Sequence, residues 1–210
     1  MAVGTNEALK WMEALQQVYA ANRQWLTELD SAIGDADHGI NMDRGFTAVK
    51  AELAAHVPSD IAAVWQTVAN ALIRHVGGAA GPLYGTFFFR AAASCAGKTE
   101  MEAADVVALF QAGIEGVAQR GKAVAGDKTM MDALLPALDA MRQAIEDGAS
   151  LAAILDSGAA AAQAGMLGTV PMQARKGRAS YLGARSIGHQ DPGATSSYLL
   201  LQAAAESWRS

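Results

Sequence analysis

Apolar residues recur at Leu9, Met12, Leu15, Val18, Tyr19, Trp25, Leu26 and Leu29, close to a 3.6-residue period, and predict one long amphipathic helix from near Asn6 to Asp30. The same periodicity marks Ile40 to Ala55. A third helix begins after Pro58, with Ser59 as its N-cap, and runs to Val76. Gly77, Gly78 and Gly81 then interrupt the pattern, and Pro82 suits the first turn of a helix continuing through Leu83 to Ala96, with Phe87, Phe88 and Phe89 as core candidates. Thr99-Glu100-Met101-Glu102 reads as a capping box opening a helix from Glu100 to about Arg120. After a polar turn from Gly121 to Lys128, Thr129 caps a helix from Met130 to Glu146, and Asp147-Gly148 stops it. Ser150 starts another that reaches about Gly168. Asp191-Pro192 pairs an N-cap with a proline at the first helical position and opens a last helix to about Trp208. The expectation is eight helices and no strand: an all-α chain forming one domain over residues 1–210.

Composition sharpens this. Of 210 residues, 47 are Ala and only 5 are Pro, which favours helix because Ala has the best intrinsic helix propensity and Pro the worst. Formal charge is -5 with no Lys/Arg run, so the electrostatic footprint of a nucleic-acid binder is missing. An anionic ligand would need a local device. Cys95 is the single cysteine, no leader-like segment opens the chain, and the longest uncharged apolar stretch, His75 to Phe89, is too short to span a bilayer. The expected setting is the cytoplasm, without a membrane.

The sharpest local feature is Asp30-Ser31-Ala32-Ile33-Gly34-Asp35-Ala36-Asp37-His38-Gly39, three carboxylates within eight residues at a helix end. At an effective dielectric of about 20, each like-charge pair near 4 Å costs about 4 kcal/mol, so converging carboxylates demand a cation or a proton. All-oxygen ligands suit a hard metal such as Mg²⁺, Mn²⁺ or Ca²⁺, and Mg²⁺ commonly completes its shell from a substrate phosphate. The same residue types also build ordinary capped turns. His38 and Asn41, nearby in sequence, could donate to phosphate oxygens, and His38 alone equally suits a cap or the core.

A second device is Gly77-Gly78-Ala79-Ala80-Gly81-Pro82-Leu83-Tyr84-Gly85-Thr86, a glycine-rich loop entering a helix start, where free N–H groups and the dipole favour an anion. A glycine turn that lets helices pack closely reads the same way. Ala92 to Thr99 loosely fits a P-loop, but helix precedes it where a P-loop needs a strand, so it is a helix end with Lys98 on the surface. The segment from Thr169 to Gln190 is irregular, glycine-rich and basic; Arg175, Lys176, Arg178 and Arg185 there suit a phosphate clamp or a solvated loop.

Four stretches in order, Ile33 to Gly39 with Asn41, Gly77 to Thr86, Gly126-Asp127-Lys128-Thr129-Met130-Met131-Asp132-Ala133-Leu134, and Gly177 to Gly183 followed by Asp191-Pro192-Gly193-Ala194, resemble the nucleotide-binding L subunits and L domains of dihydroxyacetone kinases. The resemblance implies an eight-helix antiparallel barrel with the nucleotide at one end. It assigns Asp30, Asp35 and Asp37 to two Mg²⁺ ions, and His38, Asn41, Gly78, Ala79 and Ala80 to the phosphates. Leu83, Gly121, Thr129 and Met130 border the adenine, and Arg178 with Asp191, Pro192 and Gly193 completes the pocket. Ala79-Ala80 stands where ATP-using relatives show a Ser pair, and the chain has no room for a substrate domain.

Free L subunits of this kind belong to the phosphoenolpyruvate-dependent branch. There ADP is a retained coenzyme, becoming ATP when rephosphorylated by a phosphohistidine carrier subunit of the phosphotransferase system, and the phosphoryl group passes to dihydroxyacetone held on the K subunit. The resemblance therefore implies a phosphotransferase active only with those partners, with no covalent nucleophile on this chain. A homodimer is a further candidate assembly. Two other readings stand beside it: a nucleotide-state interaction module, and an ATP-using L-type kinase domain for another acceptor.

Overall fold

The structure, a computed structural model, describes residues 2–209. Among them are nine α-helices: α1 Thr5–Ala21, α2 Arg23–Ile33, α3 His38–Ala55, α4 Ile61–His75, α5 Ala80–Ser94, α6 Ala103–Gly121, α7 Met131–Glu146, α8 Leu151–Gly168 and α9 Pro192–Ser207. A 3-10 stretch, Arg178–Ser186, kinked at Gly183 where the backbone is not helical, lies in the connection before α9. Two short strands, β1 Val3–Gly4 and β2 Glu100–Met101, pair antiparallel with Val3 opposite Met101.

Eight helices form a closed ring. α1 packs on α3, each of α3 to α8 on the next in order, and α9 on both α8 and α1. α2 stands outside this cycle, packed against α3, α9 and the 3-10 helix, so that its C-terminal end reaches one end of the ring. The barrel is filled by aromatic residues centred on Trp11, whose ring lies 5.5 Å from Trp65 and 4.9 Å from Trp208. Phe88 and Phe110 complete the cluster. The closing contact is also hydrogen-bonded: Trp11 Nε1 donates to the Leu200 carbonyl at 3.2 Å and Trp208 Nε1 to the Glu7 carbonyl at 3.0 Å.

Several expectations need correction. The long first helix is two helices, because the Asn22 side chain donates to the Val18 carbonyl at 2.8 Å, satisfying a helix-end group locally and turning the chain. Asp60, not Ser59, caps α4 by accepting from Ala63 N at 2.8 Å, while the Ser59 hydroxyl donates to Asp60. Thr99 to Glu102 is no capping box. Glu100–Met101 is the strand paired with β1, and α6 starts at Ala103, with Asp105 accepting from Glu102 N at 3.1 Å. Phe87 and Phe88 are buried, but Phe89 is 60% exposed. Ser150 caps α8 and Asp191 caps α9 as the sequence predicts. α5 ends at Ser94, and Lys98 pairs with Asp105 at 2.9 Å on the surface, so the P-loop-like stretch is a helix end.

Candidate functional site

The turn between α2 and α3 gathers the acidic residues. Asp30, in the last turn of α2, points its carboxylate at the start of α3, where Oδ2 accepts from the backbone N–H of Asp37 at 2.9 Å and of His38 at 3.1 Å. Gly34 lies so close to this carboxylate that a Cβ there would collide with it. Ala36 takes a left-handed φ of 61°, a conformation that costs a non-glycine residue and marks a turn over-determined by its surroundings. As a result one carboxylate oxygen from each of Asp30, Asp35 and Asp37 lies within 4.8 Å of the others. Arg178, reaching over from the 3-10 helix, pairs with Asp35 at 3.0 Å. Three converging anions of hard oxygen, one of them buried, fit a divalent cation such as Mg²⁺.

Behind this turn the His38 ring is fixed by a chain of hydroxyls. His38 Nε2 and Ser196 Oγ are 2.9 Å apart, Tyr84 Oη is 2.7 Å from the same Oγ, and Tyr19 Oη donates to the Ser196 carbonyl at 2.8 Å. Burial pushes the imidazole below its usual pKa against the pull of the Asp30 and Asp37 carboxylates, and pushes the Tyr84 phenol up to about 12. Both phenols stay protonated, Tyr19 donating to the Ser196 carbonyl and Tyr84 lying within hydrogen-bond distance of the Ser196 and Ser197 hydroxyls.

Beside Asn41, in the first turn of α3, α4 ends and Gly77, Gly78, Ala79 and Ala80 lead into α5. On the far wall the 126–130 turn is held by Asp132, which accepts from Gly126 N at 2.5 Å and Thr129 N at 2.8 Å. The Thr129 hydroxyl in turn accepts from Met131 N at 3.2 Å at the start of α7. Lys128 is buried, with its ammonium bonded to the carbonyl oxygens of Thr169, Met172, Ser186 and His189. Asp191 caps α9 through Ala194 N at 2.7 Å, and burial raises its carboxyl to about 7.

These walls enclose one cleft of about 210 Å³. It brings together every residue that the resemblance assigned to metal or nucleotide except Gly121, and of the four basic residues offered as a phosphate clamp it takes in Lys176 and Arg178 but not Arg175 or Arg185. That glycine sits behind the lining, facing Leu83, which does line it. Ile33, Gly34, Gly77, Tyr84, Lys128, Lys176, Gly177 and Ala179 also line the cleft. Among these, Lys128 gave no distinguishing signal in sequence because a lysine in a polar turn reads as solvated. The Tyr84–Ser196 pair is invisible there because 112 residues separate its members.

The cleft has a consistent polarity. The N-terminal ends of α3, α5, α7 and α9 contribute His38, Ala79 and Ala80, Met130, and Pro192 and Gly193 to its walls. Alternate ring helices therefore start at the same end of the barrel, and four positive dipole ends converge there. Acidic side chains and helix N-termini would oppose each other's preferred ligands, unless the ligand carries both a cation and an anion. A metal-bound polyphosphate does so.

The family model of the DAK2 domain matches residues 32–206. The chain belongs to that family. It is 42% identical to the Escherichia coli (strain K12) PEP-dependent dihydroxyacetone kinase, ADP-binding subunit DhaL, over 96% of each chain. It is 37% identical to the ADP-binding subunit DhaL of the PTS-dependent dihydroxyacetone kinase of Lactococcus lactis, over 94% of this chain and 95% of that one. The human triokinase/FMN cyclase is 34% identical over 86% of this chain but only 31% of its own length. Among solved structures, the dihydroxyacetone kinase of C. freundii superposes with a TM-score of 0.74 at 24% identity over 95% of this chain. Its complex with AMP-PNP and Mg²⁺ gives 0.73 at 25% identity over the same share. The chain spans about a third of the length of those solved chains (34% and 33%), and the likeness establishes the all-α fold.

Proposed function

We propose that this chain is the nucleotide-binding subunit of a phosphoenolpyruvate-dependent dihydroxyacetone kinase, a phosphotransferase that works with partner subunits in the cytoplasm. The observation that carries the reading is the meeting of three carboxylates and four helix N-termini in one cleft. End-to-end likeness to ADP-binding subunits of such kinases supports it.

In this reading Asp30, Asp35 and Asp37 hold two Mg²⁺ ions. His38, Asn41 and the backbone at Gly78, Ala79 and Ala80 face the phosphates of ADP, which becomes ATP when phosphorylated. Leu83, Thr129 and Met130, with Gly121 behind them, border the base, and Arg178 with Asp191, Pro192 and Gly193 completes the enclosure. When bound, magnesium and nucleotide supply the phosphoryl carrier and neutralise its charge. The chain contributes fixed donors and carboxylates that orient the carrier at the barrel end, positioning rather than covalent chemistry. The donor is a phosphohistidine carrier subunit of the phosphotransferase system, and the acceptor, dihydroxyacetone, is bound by the K subunit.

The test is to denature freshly purified, extensively washed protein and identify what it releases. Near-stoichiometric ADP with about two Mg²⁺ is the expected result and marks a retained coenzyme. An empty protein that exchanges ATP freely would replace this reading with an ATP-using domain or a nucleotide-state module. No nucleotide affinity at all would overturn it. Reconstitution with both partners should then give phosphoenolpyruvate-dependent formation of dihydroxyacetone phosphate, abolished by Asp35→Ala.

A further inference from the structure

The Asn41 side chain is 4% exposed and lines the cleft. Its Oδ1 accepts from Arg44 Nη2 at 2.5 Å, one turn further along α3, while its Nδ2 has no hydrogen-bond acceptor among the described residues. Arg44 is itself anchored: Nε donates at 2.7 Å to the carbonyl of His75, the last residue of α4. Two residues beyond, the backbone of Gly77 packs directly against the Asn41 amide. One guanidinium thus bridges α3 to the end of α4, where the glycine loop begins.

We propose that Arg44 is a positioning residue for the phosphate end of the cleft, orienting the Asn41 amide so that its NH₂ group, not its oxygen, faces the ligand. The inference rests on the reading of the cleft as a nucleoside diphosphate site. An asparagine amide presents either a donor or an acceptor on rotation by half a turn, and an acceptor facing a polyphosphate repels it. A guanidinium only donates, so it captures the amide oxygen and leaves both N–H donors for the cleft. Lysine offers a single charged point and cannot reproduce the two-point bridge to Asn41 and His75.

The experiment compares binding of Mg·ADP and of adenosine by calorimetry for the wild type, Asn41→Ala, Arg44→Met, Arg44→Lys and the Asn41→Ala/Arg44→Met double variant, each first freed of retained nucleotide by chelating Mg²⁺ and exhaustive dialysis and checked for an unchanged circular dichroism spectrum. Arg44→Met is expected to weaken Mg·ADP about tenfold, the order of one charge-linked hydrogen bond, and to leave adenosine within about twofold. Arg44→Lys should behave like Arg44→Met. On the Asn41→Ala background, Arg44→Met should add no further loss, because the two act as one unit. Equal losses for ADP and adenosine would reveal a merely structural role and overturn the inference, as would additive losses in the double variant. So would an Asn41→Ala protein that binds ADP normally. A wild type that binds no ADP would instead overturn the nucleotide reading on which the inference rests.

Discussion

The ammonium of Lys128 donates to the carbonyl oxygen of Ser186 at 2.7 Å, across 58 residues of sequence. The same nitrogen serves Thr169, Met172 and His189, so the segment between α8 and α9 is wrapped around one buried cation. Lys128 holds a left-handed φ of 60° to reach this position and is 1% exposed. Replacing it by Met removes the charge and leaves these inward-facing carbonyls without their donor. Lys128→Met is expected to cost about 2–4 kcal/mol in urea unfolding and to raise amide exchange between residues 169 and 190. Unchanged exchange there would show that the segment is held by other contacts.

The three carboxylates predict a divided response to metal. Asp35→Ala and Asp37→Ala each remove one repelling charge, and the Asp35 pair with Arg178 is too exposed to offset this, so neither should lower the melting temperature of metal-free protein. Both should abolish the rise that Mg²⁺ gives the wild type. Asp30→Ala should abolish it too, but at a cost of about 1–2 kcal/mol without metal, because it also unbinds the Asp37 and His38 amides. Melting curves with and without chelator separate the two patterns.

Asp191 makes the metal- and nucleotide-free protein sensitive to pH. Its carboxyl rises from an ordinary 3.8 to about 7 on folding because it is buried. Between those values the native state holds a proton that the unfolded chain has released. The contribution of this group to stability is therefore complete below about pH 4 and is lost as pH rises towards about 7, with a slope approaching 1.4 kcal/mol per unit, roughly. Asp191→Asn keeps an N-cap acceptor and removes the titration, so its unfolding free energy should lose this downward slope. Denaturant titrations across that range check the sign.

Gly39 sets how close α3 comes to α2. A Cβ at this position would run into the Arg23 carbonyl and the Thr27 hydroxyl. Gly39→Ala must push the two helices apart, and with them Asp30 from the amides it accepts. An expected loss above about 2 kcal/mol should be accompanied by weaker Mg²⁺ binding, measured by the metal-induced shift in melting temperature.

Local signals carried much of this molecule. The Asp191-Pro192 start and the Ser150 cap are chemistry within one helical turn, and both are present. The acidic turn was legible as a cluster because its three carboxylates lie within eight residues. What stayed hidden depends on distant chain. β2 exists only because Val3 and Gly4 supply its partner, Phe89 faces out because the ring fixes which side of α5 is inside, and Lys128 finds its acceptors some 41 to 61 residues later. The Asn22 break was local, yet the helical period of apolar positions resumes in step beyond it and masked the competing side-chain bond.

The hydroxyl of Ser196 meets the His38 ring across 158 residues, and α9, which carries it, also closes the ring against α1. During synthesis the acidic turn is made well before the helix that backs it. Ligand capture must therefore wait for α9: a nascent chain that has not yet made it lacks the Asp191 to Gly193 part of the cleft wall and the Ser196 hydroxyl behind His38, and its barrel is open, with Trp11 lacking Trp208.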